Sequence, residues 1–220
     1  FYRALDECRE NFRQLNFVFY FAGAHDYPEA NKILCDYYAA GQLAARHLIE
    51  RGYRKLVLLT YEERGEMARR QRGVGFQYYD KEMLDGVIDA CAEAGVDFLN
   101  TGRVIYKNFT GKDNAAYYQQ LEQIMRGGPT GFIGIADNRA QAVYQVASRL
   151  GLEIGGDVAM IGNYNTVSWS QMLHPGLTSI AVGEEELARK LAELLRSGAH
   201  GEEIRIAPSL VVRESTHGRN

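Results

Sequence analysis

Polar and aromatic side chains gather where the apolar runs of this chain stop. Tyr61 follows Lys55–Thr60 (KLVLLT), Asp137 follows Gly131–Ile135 (GFIGI), and Asn163, Tyr164 and Asn165 follow Val158–Ile161 (VAMI). Phenols, amides and a carboxylate so placed grip a small molecule by hydrogen bonds and ring stacking. The single tryptophan, Trp169, lies beside Ser168 and offers either a stacking face or a packing residue at a bend. Asp137 carries a second reading, because an aspartate between a strand and a helix accepts backbone N–H bonds as a cap. Bond-making chemistry does not emerge. The sequence holds no Gly-rich phosphate loop, no nucleophile elbow and no metal-spaced cluster. His25 and His174 stand outside any ligating or nucleophilic pattern, and Asp85 and Asp89 fit a solvated helix face. The expectation is a binding protein, not an enzyme, with no catalytic residues, metal or cofactor.

The elements that must position these residues alternate. Leu5, Cys8, Phe12 and Leu15 recur at helical spacing, and Phe17–Phe21 is a run short enough for a buried strand. Asp26, Tyr27 and Pro28 mark a loop. A helix is expected from Tyr38 to about Arg51, closed by Gly52, and a parallel strand over 55–60. Then come a helix over Val74–Ala94, a strand near Arg103–Tyr106 and a helix that Asp113 can cap, running to Met125. The strand 131–135, a helix over Asn138–Leu150 and the strand 158–161 follow. This is the pattern of a doubly wound α/β fold, in which ligands bind beyond the carboxyl ends of the strands. After Ile161 the rhythm changes. Residues 163–175 are polar and aromatic without a period, before a strand (Thr178–Val182), a helix (Glu184–Leu195) and a strand pair near Ile204–Arg213.

The 220 residues, 46% apolar and 24% charged, suit a soluble globular protein with a sizeable core. A net charge of −3 argues against gripping the phosphates of DNA directly. Cys8, Cys35 and Cys91 form no zinc or disulfide pattern and read as buried free thiols in a reducing cytosol. No apolar run reaches the length of a membrane span. The chain opens at Phe1, inside a helical pattern, so a fragment of a longer protein is expected.

Several stretches resemble the LacI/GalR family of bacterial transcription regulators. They are Asp36-Tyr-Tyr-Ala-Ala-Gly with His47-Leu-Ile-Glu-Arg-Gly52, Arg72-Gly-Val-Gly75-Phe76, and Pro129-Thr-Gly-Phe-Ile-Gly-Ile-Ala-Asp137 with Ala140. Leu150-Gly with Asp157 and Gly162, His174-Pro-Gly-Leu-Thr178-Ser-Ile, and Arg213-Glu-Ser215-Thr216 complete the set. In this order, from Asp36 to Thr216, they cover about four fifths of the chain.

The resemblance implies a two-lobed periplasmic-binding-protein-like type I fold, α/β, each lobe a parallel sheet flanked by helices. Residues 1–35 and 163–200 would form an incomplete N-terminal lobe, and 36–162 with 201–220 the C-terminal lobe. The chain would cross between lobes three times, with an effector in the cleft. Arg72 matches the arginine that in this family reaches effector hydroxyls or a carboxylate, a task suited to the rigid guanidinium fork. Arg64, Arg69 and Arg70 lie nearby. Asp137 falls where the cap and cleft roles coincide. Two positions depart from the family pattern: its asparagine is Ala136 here and its aspartate is Tyr164. Those amide and carboxylate grips on sugar hydroxyls are thus absent, while Tyr164 offers a ring face and one hydroxyl, flanked by Asn163 and Asn165. Tyr61 would line the cleft wall, Trp169 would stack on a sugar face or pack at the hinge, and His47 would be structural. The implied function is the effector-sensing core of a cytoplasmic, homodimeric regulator. It would bind a sugar-like molecule and pass lobe closure to a DNA-binding headpiece outside this sequence, contacting operator DNA only through it. A solute-binding protein serving a sugar transporter would share fold and cleft, but the "R.ST" close and the HPGLTSI segment resemble the regulator branch.

Overall fold

The computed structural model describes residues 18–19, 30–60, 77–98, 103–106 and 114–218. Strand β1 (Val18–Phe19) and β2 (Asn31–Cys35) lead into α1 (Tyr37–Glu50), β3 (Leu56–Thr60) and α2 (Gln77–Glu93). Then come β4 (Arg103–Tyr106), α3 (Asn114–Arg126), β5 (Thr130–Gly134), α4 (Ala140–Leu150) and β6 (Val158–Asn163). The chain closes with α5 (Val167–Ser170), β7 (Thr178–Ala181), α6 (Glu184–Ser197), β8 (Glu203–Ile206) and β9 (Ser209–Val211).

Continuous apolar runs become strands covered on both faces, and every residue of β3, β5 and β6 is buried. They form the middle of a six-stranded sheet ordered β4-β3-β5-β6-β7-β9, parallel except for β9, which pairs antiparallel with β7. Side chains alternate across it. Ile133 and Ile161 meet Ala44, Leu48, Val87 and Cys91 of α1 and α2 on one face. Phe132 and Met160 meet Leu121 of α3 and Val143 of α4 on the other. A second, three-stranded parallel sheet is ordered β1-β2-β8. Its Ile33 and Ile206 pack with Leu194 of α6.

The helix ends follow from local residues. The Asp36 side chain accepts from the Ala39 N–H at 2.9 Å and starts α1. Gly52, at φ 89°, ends it, with Tyr53 N–H donating to the Leu48 carbonyl. Helices α1 and α2 cross at two glycines. A Cβ on Gly41 would overlap the Met83 carbonyl, and one on Gly86 would overlap the Tyr38 carbonyl. The crossing is therefore backbone against backbone. Tyr38 hydroxyl to Asp89 (2.7 Å) and Arg46 to Glu93 (2.8 Å) line its exposed edge.

The structure differs from the sequence reading in several places. β2 was not expected. It begins with Asn31 and Lys32, both buried, and the Lys32 amine lies 3.7 Å from the Glu203 carboxylate. β8 and β9, expected as a pair, belong to different sheets: β8 adds to β2 and β9 to β7. Ala207 and Pro208 separate them, and proline, lacking an N–H, ends a ladder. The sheets also divide otherwise than the expected lobes. β7, within 163–200, pairs with β6 of the larger sheet, because residues 164–177 supply the crossover that a parallel neighbour requires. β8, within 201–220, pairs with β2 of the smaller one. The helix expected from Asn138 begins as a 3-10 turn (Asp137–Arg139) before α4. The helix expected over the first fifteen residues, and Asp113, lie outside the described residues.

Among the described residues the chain passes between the sheets three times. It does so at Asp36 between β2 and α1, at Val182–Gly183 between β7 and α6, and at Ala207–Pro208 between β8 and β9. The Asp36 N–H donates to the Ile206 carbonyl at 3.0 Å, tying the first crossing to the third. Gly183 takes φ 67°, and its Cβ position lies 3.0 Å from Ile206 Cγ2.

Candidate functional site

Beyond the carboxyl ends of β5 and β6, and against β7, a hydrogen-bonded knot brings several of the expected site residues together. Asp137 is its centre. Its Oδ1 accepts from the Ser179 hydroxyl at 2.5 Å, and its Oδ2 accepts from the Thr166 N–H at 2.6 Å. No side chain caps the turn at Asp137 or helix α4, so the capping reading of Asp137 is replaced by a tertiary one. The carboxylate occupies space that a side chain at position 162 would need, and Gly162 leaves it free. Burial raises the carboxyl pKa, against the lowering effect of the Ser179 and Thr166 hydrogen bonds and of the Arg213 charge.

Asn163 is fully buried, and its amide donates to the Ile135 carbonyl at 3.3 Å while its oxygen accepts from the Tyr164 N–H at 3.0 Å. The Asn165 N–H donates to the Ser179 hydroxyl at 3.0 Å, and its side-chain oxygen accepts from Arg213 at 2.8 Å. The other arm of Arg213 donates to the Leu177 carbonyl at 2.7 Å. These bonds hold two consecutive non-glycine residues at positive φ, Tyr164 at 87° and Asn165 at 47°. Asparagine tolerates that region; tyrosine pays for it, by an amount on the order of 1–3 kcal/mol. The surroundings impose the conformation, and its effect is to lift the Tyr164 ring, 37% exposed, off the end of β6.

The Tyr164 hydroxyl lies 3.2 Å from that of Tyr37, the first residue of α1. Tyr37 was not singled out in the sequence. The available signal was its place directly after the Asp36 cap, at the carboxyl end of a strand. Trp169 is half-buried on α5 and, among the described residues, is not part of the knot. Arg72 and Tyr61 lie outside the described residues. Among the described residues, no cluster of His, Cys, Asp and Glu is arranged to hold a metal, and no helix is long and apolar enough to cross a membrane.

The recognisable close of the chain has a structural task. The Ser215 hydroxyl donates to the Met160 carbonyl at 2.6 Å and accepts from the Thr178 N–H at 2.8 Å. Thr216 Oγ1 stands 2.8 Å from Thr178 Oγ1 and 2.8 Å from His47 Nε2. Cys35 and Cys91 are buried and free, and burial pushes their thiols up to about 12 and about 11.

Residues 45–216 match the periplasmic binding protein-like domain. The chain is 25% identical to the HTH-type transcriptional repressor PurR of Serratia proteamaculans, over 94% of its own length and 58% of that protein. It spans little more than half the length of the curated relatives it matches. In structure it resembles a LacI family transcriptional regulator from Enterococcus faecium with bound ribose. The TM-score is 0.74 at 21% identity, over 96% of this chain and 75% of that one. It also resembles a periplasmic binding protein/LacI transcriptional regulator from Alkaliphilus metalliredigens complexed with D-xylulofuranose. There the TM-score is 0.70 at 22% identity, over 90% of this chain and 70% of that one. The chain belongs to the periplasmic binding protein-like domain family, in the form that LacI/GalR-type regulators carry as their effector-binding core.

Proposed function

We propose that this chain is the sensing core of a bacterial transcription regulator that takes a sugar-like effector between its two sheets. The observation that carries the reading is the knot around Asp137, which holds Tyr164 in a costly backbone conformation and presents its phenol beside Tyr37 at the strand ends. Strained residues held by their surroundings gather at ligand sites. The ribose and D-xylulofuranose bound to the structural relatives supply the ligand class.

In this reading Tyr164 supplies a stacking face and a hydroxyl, and Tyr37 a second hydroxyl. Tyr61, Arg72 and Trp169 complete the walls, with the guanidinium of Arg72 directed to paired oxygens. Asp137, Asn163 and Asn165 act by holding the segment that bears Tyr164. An effector that touches both bodies favours their closed arrangement by its differential affinity for it. In the whole protein, a cytoplasmic homodimer, closure changes the spacing of two DNA-binding headpieces on half-sites about one helical turn apart.

The test is thermal denaturation of this chain with D-ribose, D-xylulose, sugar phosphates, polyols, nucleosides and small acids. Binding at one hundred times Kd stabilises the fold by about 2.7 kcal/mol. The expected result is a rise in Tm with a pentose that disappears in Arg72→Ala and weakens in Tyr164→Ala. No shift in any class, for this chain and for the full-length protein, sinks the reading. Sedimentation of the full-length protein checks the dimer.

A further inference from the structure

We infer that Arg205 and Glu82 form a latch between the two bodies of the fold and set the angle between them. Arg205 lies on β8 of the three-stranded sheet, and Glu82 on α2, which covers the six-stranded one. Its terminal nitrogens meet the two carboxylate oxygens at 3.3 and 3.1 Å, the paired geometry that suits a guanidinium. The third nitrogen, Nε, donates to Glu203 at 3.2 Å within the same strand. Arg205 is thus steadied from behind by its own sheet and presents its open edge to the other body.

Both partners are rooted beside the hinge. The residue after Arg205 is Ile206, whose carbonyl accepts from the Asp36 N–H at the first crossing. The residue after Glu82 is Met83, whose carbonyl packs under Gly41 of α1. Helix α1 itself starts at that same crossing. Gly41 stands about 6 Å along α1 from Tyr37, by the rise of an α-helix. A rotation of about 15° at such a lever moves the partners by about 1.5 Å, enough to break a two-bond match. The pair therefore tells one lobe angle from another.

The side chains are 36% and 25% exposed, so salt reaches and weakens the pair. If the effector reading above holds, losing the pair changes effector affinity about twofold to fivefold, the scale of a partly exposed ion pair. The latch itself is read without an effector, so failure of either idea is visible separately.

The experiment is a distance measurement between nitroxides on Gln141→Cys of α4 and Glu185→Cys of α6, in a Cys8→Ser background. Expected is one narrow distribution for the parent protein. It broadens or shifts in Glu82→Gln, in Arg205→Gln, and in the parent at high salt. Glu203→Gln, which removes the steadying partner but not the bridge, keeps the parent maximum. An unchanged distribution in either bridge variant, with circular dichroism showing a folded protein, overturns the latch. So does an equal shift in Glu203→Gln, or indifference of the parent to salt.

Discussion

His47 Nε2 and Thr216 Oγ1 stand 2.8 Å apart although they lie 169 positions apart in the chain. The bond fastens the last turn of α1 to the tail, and Thr178 Oγ1, 2.8 Å from Thr216 Oγ1, extends it to β7. Three of the stretches that made the sequence recognisable meet at this one place.

Loss of this bond is expected to be costly and sensitive to pH. Thr216→Val should lower stability by about 1–3 kcal/mol, since it takes the hydroxyl partner from the half-buried His47 ring, while Thr178 keeps its bonds to the Arg213 backbone. Burial first, and then the Arg51 charge, hold the His47 pKa below its ordinary 6.5, against Glu50. Between that lowered value and 6.5 the unfolded chain binds more protons than the folded one. Stability contributed by neutral His47 is therefore complete above 6.5 and falls as pH drops below it. Urea denaturation across this window should show a slope that His47→Gln reduces; an equal slope in both proteins removes His47 as its source.

Gly162→Ala puts a methyl where the Asp137 carboxylate and Leu177 already lie. The expected loss is about 1–3 kcal/mol from overpacking. Asp137→Ala alone also destabilises, because it strands the Thr166 N–H and the Ser179 hydroxyl. The double variant should cost less than the sum of the two, as coupled neighbours do. Additive denaturation free energies would show that the two positions do not share this space.

Gly41→Ala meets the Met83 carbonyl, a backbone atom that yields only if a helix moves. It should destabilise by about 1–3 kcal/mol or more. Gly52→Ala is a useful contrast: it meets nothing within 4 Å but must adopt φ 89°. Its cost, about 1 kcal/mol, is a backbone effect without crowding. Thermal unfolding of the two variants, with Gly52→Ala the milder, checks the distinction.

Cys35 and Cys91, with thiols at about 12 and about 11, carry little thiolate near neutral pH. Peptide mapping after iodoacetamide treatment should find both modified more than about a hundredfold more slowly in the native protein than after unfolding. Comparable native and denatured rates would contradict the burial.

Much of the framework was legible because β3, β5 and β6 carry short, nearly continuous apolar runs, too short for helices and suited to strands buried on both faces. β2 escaped because its first two residues, Asn31 and Lys32, are polar yet buried. The sheet to which β7 and β8 belong was not legible either, since a ladder partner is a tertiary choice that short strands do not encode. The site was legible in the same uneven way. An Asp after a strand suits a helix cap and a tertiary knot alike, and the partner that decides, Ser179, lies 42 residues away. The unusual backbone of Tyr164 has no sequence signal, as tyrosine is a poor resident of that region.

The meeting of Gly41 and Gly86 also governs how this protein can diverge. Each glycine is barred by a carbonyl of the opposite helix, so neither can acquire a side chain unless the helices part. Substitutions there are closed to a lineage one at a time and in either order.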